Sequence, residues 1–67
     1  MNTNEAFKQL LKEKPYSIKE ISLIIETSYE TVRNWTRDED STNYRVMPNY
    51  ALIAVTLSIE EIERIGE

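Results

Sequence analysis

Apolar positions along this chain recur at spacings of three and four, the period that lines side chains along one face of a helix. From Asn4 to Glu13, the residues Ala6, Phe7, Leu10 and Leu11 form one stripe, and Pro15 disfavours helical geometry at Lys14, so a first helix ends there. Ser17 followed three residues later by Glu20 makes a capping box, with Tyr16 placed to staple onto Ile21. A second helix therefore begins at Ser17 and turns Ile21, Ile24 and Ile25 inward. The polar break Glu26-Thr27-Ser28 ends it, and Ser28 caps a third helix. There Val32 and Trp35 face in while Tyr29, Glu30, Arg33, Asn34 and Arg37 face out.

The run Asp38-Glu39-Asp40-Ser41-Thr42-Asn43 has no apolar residue and reads as a loop. Pro48 suits the first position of a fourth helix, whose stripe is Tyr50, Ile53, Ala54 and Leu57. A second capping box, Ser58 with Glu61, and a second staple, Leu57 with Ile62, predict a separate fifth helix through Ile65, closed by Gly66. The competing local reading is a β-hairpin wing over residues 44–57, because Tyr44 to Met47 and Ala51 to Leu57 are rich in β-formers around Pro48-Asn49. The Pro48 start signal and the stripe after it agree with each other and favour the helix. The expected fold is all-α, with about five short helices over residues 1–67. Its core is expected to hold Phe7, Leu10, Ile21, Ile25, Val32, Trp35, Ile53 and Leu57.

Length and composition narrow the functions open to such a bundle. A chain of 67 residues builds one core and one domain. Its lack of cysteine and histidine excludes a disulfide, a Cys/His zinc site, a cysteine nucleophile and a Ser-His-Asp relay. No cofactor is expected, an enzyme is disfavoured, and the missing cysteine fits a reducing, cytoplasmic setting. The stretch from Met1 to Pro15 carries Lys8, Lys12 and Lys14 and no long apolar run, so neither a signal peptide nor a membrane partner is expected. Net charge is −4, against the bulk basic excess usual in nucleic-acid binders, but residues 58–67 hold four glutamates against Arg64 and account for most of it.

Two short helices joined by a tight turn over Ile18 to Arg37, the second with a polar outer face, resemble a helix-turn-helix. Ile21, Ser22 and Ile25 occupy the apolar, small and apolar positions of the first helix, and Val32 and Trp35 the inward positions of the second. Thr31-Val32-Arg33-Asn34-Trp35 is similar to recognition helices of small repressors. Glu26 stands where the family usually has glycine, which implies a turn residue at positive φ costing on the order of 1 kcal/mol. Thr27 and Ile18 also depart from the usual apolar residue and glutamine. The helix before the motif and those after it follow the order of phage-repressor-like domains of the Cro/CI, lambda-repressor-like type.

That resemblance implies a small transcriptional regulator of phage or mobile-element type whose third helix enters the major groove of double-stranded DNA. Tyr29, Glu30, Arg33 and Asn34 are then the base readers. Arg33 is suited to guanine, Asn34 to adenine, Glu30 to cytosine and Tyr29 to a thymine methyl or a phosphate. Ser17, Ser28, Thr31, Arg37, Asn43 and Arg45 are the implied phosphate contacts. A homodimer is expected because one small domain covers little DNA, and Ile59, Ile62 and Ile65 are its candidate surface. The alternative is a helix-turn-helix scaffold turned to protein binding, an antirepressor or inhibitor docking on a repressor or host regulator. Asp38-Glu39-Asp40, Glu30 at a reading position and Ile18 favour it.

Overall fold

A computed structural model describes residues 2–66 and contains four helices: α1 (Thr3–Glu13), α2 (Ile18–Ile24), α3 (Tyr29–Trp35) and α4 (Asn49–Ile65). No strand occurs among the described residues, so the wing does not form, and residues 44–48 run as irregular backbone into α4. The first three helix starts are set by local side-chain chemistry. The Asn2 side chain accepts from the Glu5 N–H at 2.9 Å. At α2 both halves of the capping box are made, Ser17 Oγ accepting from the Glu20 N–H (3.1 Å) and Glu20 Oε1 from the Ser17 N–H (2.9 Å). Ser28 Oγ accepts from the Thr31 N–H at α3. Caps of this kind each contribute about 1 kcal/mol.

The expected fifth helix merges into α4, which continues through Ser58 to Ile65. Neither proline nor glycine interrupts residues 49–65. Breaking the ladder at Ser58 would sacrifice several backbone hydrogen bonds for one cap, and would carry Ile59 off the line of Ala51 and Val55. Pro48 precedes the helix as its N-cap, with φ −64° and ψ 146°, and supplies no side-chain cap bond.

The core consists of Phe7, Ile21, Val32, Trp35, Met47, Ala51, Val55 and Ile59, with Leu10, Leu11, Tyr16, Ile18, Ile24, Ile25 and Leu52 packed around it at partial burial. Phe7 meets Trp35 edge to face, with centroids 6.0 Å apart and an interplanar angle of 86°. Ile53 and Leu57 are not in this core; they are 50% and 60% exposed on the opposite side of α4. That helix is apolar on two sides, and the side that faces α1 and α2 is the Ala51/Val55/Ile59 line, whose small and β-branched residues admit close packing. Ile59, expected at a dimer surface, is fully enclosed in the core, whereas Ile62 and Ile65 remain exposed.

One buried polar side chain ties the bundle together across long sequence separations. Asn4 donates through Nδ2 to the carbonyls of Trp35 (3.0 Å) and Arg45 (2.8 Å), and its Oδ1 accepts from the Met47 N–H (2.9 Å). Beside it Thr3 Oγ1 donates to the Met47 carbonyl at 2.6 Å, and Lys8 Nζ donates to the Arg37 carbonyl at 3.3 Å. The first two turns of α1 therefore hold both the end of α3 and the strap that delivers Met47 into the core.

Candidate nucleic-acid interface

The turn between α2 and α3 is built from backbone bonds. The Thr27 N–H donates to the Ser22 carbonyl at 2.9 Å, and the Glu26 N–H to the Leu23 carbonyl at 3.3 Å, the paired bonds of a Schellman ending. That geometry needs a left-handed residue at its second-last position, and Glu26 supplies it at φ 54°, the one positive-φ non-glycine residue among those described. Ile21 and Ser22 beneath the turn are buried, and Val32 closes against them from α3. The turn, its buried floor and the Ser28 cap together fix where α3 begins.

The outer face of α3 is bare. Tyr29, Glu30, Thr31 and Arg33 are exposed, and Asn34 is half-buried beside them. The Arg33 guanidinium makes no ion pair among the described residues. Arg37 behaves differently: its Nε donates to Asn34 Oδ1 at 2.8 Å and its Nη2 lies 3.5 Å from Glu30 Oε1. Glu30, Asn34 and Arg37 thus form one network along the helix, at spacings of four and three. Its consequence for recognition is specific. The Asn34 oxygen is engaged by Arg37, so a two-way contact to adenine would have to share that oxygen.

The implied phosphate contacts are dispersed. Ser17 and Ser28 commit their hydroxyls to the helix caps, and Thr31 Oγ1 lies 2.7 Å from Ser28 Oγ, within the same cap. What remains at those two helix starts is backbone N–H groups. Asn43 and Arg45 stand on the strap after α3, both exposed. The Arg45 guanidinium folds back to donate to the carbonyls of Thr42 and Tyr44, while its own N–H donates to the Asn34 carbonyl at 3.3 Å. This last bond brings the strap to the C-terminal end of α3. Asp38, Glu39 and Asp40 are exposed between the two, and they set a negative edge beside Arg37.

Two residues that position this face are absent from the candidates read in the sequence. Asn4 fixes the last carbonyl of α3, and Lys8 fixes the carbonyl of Arg37. The available signal for Asn4 was its place three residues before Phe7, at the head of the apolar stripe of α1, where a polar side chain faces the core. Lys8 carries no comparable signal, because its partner comes from residue 37. No helix among the described residues is long and apolar enough to cross a membrane. Comparison with known proteins finds no matching family model, curated protein or solved structure, so the geometry above is what bears on function.

Proposed function

We propose that the chain is a small DNA-binding transcriptional regulator in which α2 and α3 act as a helix-turn-helix, with α3 lying in the major groove of double-stranded DNA. The observation that carries this reading is the second helix itself: seven residues held from behind by Val32 and Trp35, started by a capped turn, and presenting Tyr29, Glu30 and an unpaired Arg33 to solvent. An exposed arginine on a rigid helix is suited to bidentate recognition of guanine O6 and N7. Glu30 can accept from cytosine N4, Tyr29 can cover a thymine methyl, and Asn34 offers its Nδ2 donors to a purine N7. Backbone N–H groups at the starts of α2 and α3, with Arg37, Asn43 and Arg45, would hold the phosphates, Arg37 by exchanging Glu30 for a phosphate oxygen.

So few cations imply a shallow salt dependence. Selection from a random duplex library, followed by anisotropy titration at several salt concentrations, tests the proposal. A single enriched sequence is expected, with a log–log slope corresponding to only a few phosphates per subunit. Arg33→Ala should lose about 1 to 3 kcal/mol and relax preference at one base, whereas Arg45→Ala should weaken all sequences alike. Failure to enrich any sequence at low salt would overturn it. Protein binding on the same scaffold is the second reading, favoured by the exposed acidic edge Asp38-Glu39-Asp40 next to α3.

A further inference from the structure

We infer that α4 is a homodimer contact in which two copies of the chain pack antiparallel through the helix face opposite the core. The inference does not rest on DNA binding. Tyr50, Ile53 and Leu57 are 76%, 50% and 60% exposed, and they occupy a single line on the outside of α4. That line continues as Glu60 and Arg64, both exposed, so the spacing 50–53–57–60–64 alternates three and four. Such an alternation keeps one seam facing a partner helix along its whole length, as it does in a coiled coil. The buried line Ala51/Val55/Ile59 lies on the other side and is already used by the core.

Charge selects both the occupant and its direction. Among the described residues the N-terminus of α4 has no side-chain cap bond and no acidic residue in its first turn, so its first N–H groups and the positive end of the helix dipole are left without a side-chain partner there. The C-terminal part of the same outer face carries Glu60 and Glu61; Glu61 is paired with Arg64 in the same helix, which leaves the Glu60 carboxylate as the one without an ion pair there among the described residues. Antiparallel pairing about a two-fold axis level with Val55 sets Ile53 against Leu57 of the second copy, and Leu57 against its Ile53. It also sets Tyr50 against Glu60 of the second copy, and brings Glu61 level with Asn49, the first residue of that copy's α4. The acidic end of each helix then lies against the uncapped start of the other. A parallel pair would instead stack glutamate on glutamate, which is unfavourable. The pattern is self-complementary, as an isologous interface must be.

The extent of the seam sets the strength. Three large apolar side chains per copy, with their flanking residues, bury roughly 1,000 Å² in total, at the small end of specific interfaces. Association is therefore expected with a dissociation constant on the order of 10 µM, because an interface this small leaves little surplus after the entropy of association.

Sedimentation equilibrium of the full chain from about 1 to 500 µM tests this. The mass should rise from the 7.9 kDa of one chain toward twice that value. Leu57→Glu should hold it at the monomer across the range, with the thermal midpoint that the wild type shows at the lowest concentration, since the position is exposed in the monomer. Orientation is read from Tyr50→Cys/Glu60→Cys in this cysteine-free chain. Within one helix the two thiols stand about 15 Å apart, too far for a disulfide, so a 50–60 linkage found by peptide mapping arises between antiparallel copies. A wild-type chain that stays monomeric at the highest concentration would overturn the proposal. So would a dimer indifferent to Leu57→Glu, or cross-links confined to 50–50 and 60–60.

Discussion

Replacing Glu26 by glycine should stabilise the protein, and the amount follows from two opposing terms. Glu26 is held at φ 54° by the bonds from Glu26 and Thr27 to the carbonyls of Leu23 and Ser22, and its side chain is exposed. A residue with a Cβ costs roughly 1 to 2 kcal/mol in the left-handed region, and glycine removes that cost. Glycine also loses more backbone entropy on folding, which returns about 0.5 to 1 kcal/mol to the unfolded chain. The balance is a gain of about 0.5 to 1 kcal/mol. In a domain of this size that corresponds to a thermal midpoint roughly 3 to 6 °C higher. Circular-dichroism melts and urea titrations of the wild type, Glu26→Gly and Glu26→Ala measure it. Alanine keeps the Cβ, so it should match the wild type within about 0.5 kcal/mol, the usual spread of surface changes. If glycine is neutral or destabilising while alanine is neutral, the turn stores no strain and the reasoning fails. If alanine stabilises as much as glycine, the cost lies in the glutamate charge and not in the backbone.

Asn4→Leu should cost about 2 to 4 kcal/mol, because it leaves the buried Met47 N–H and the Trp35 carbonyl without their partner; a urea midpoint within error of the wild type would contradict the clamp. The Lys14 ammonium is raised above its ordinary value of 10.5 by its hydrogen bond and attraction to Glu63, 3.0 Å away. A raised pKa means stability is fully present below pH 10.5 and is lost as pH rises through the folded value. Glu63→Gln should flatten that alkaline limb in a pH series of melts, and added salt should shrink it, since the pair is exposed. Reversing Asp38, Glu39 and Asp40 to lysine separates the two functions. DNA affinity should rise as repulsion from phosphates is removed, while a partner protein recognised through those carboxylates should be lost.

Much of the fold was legible because its signals are local. The box at Ser17 and Glu20 and the cap at Ser28 are decided within three residues, and both form as the residue types require. The positive φ at Glu26 was expected only through the resemblance, because Glu26 stands where helix-turn-helix domains usually have glycine. Elsewhere the outcome depended on distant partners. Tyr50, Ile53 and Leu57 are as helical in period as Ala51, Val55 and Ile59, and only the shapes of α1 and α2 decide which line is enclosed. Ser58 offered a sound local cap, yet the pull of Ile59 into the core outweighed it. Met47 lay in a stretch with no helical partner, so its role as a plug appears only once the strap is laid across the bundle. On the outer face of α3 the exposed residues were legible from period alone. The engagement of Asn34 and Glu30 by Arg37 was not, because it depends on where the chain turns after Trp35.

The Asn4 clamp carries a consequence for the order of folding. A seven-residue helix is well below the length that survives alone in water, so α3 persists only while its ends are held. Its Ser28 end is tied locally, but its Trp35 end is tied to a residue 31 positions earlier, and the strap beyond it to the same residue across 41 and 43 positions. Such contacts close large loops and are made late. The amides of α3 should then exchange with solvent only by opening of the whole bundle, as one cooperative unit with α1 and the strap. Any partner that needs α3 formed will meet it either complete or absent, with no population of half-wound helix to capture.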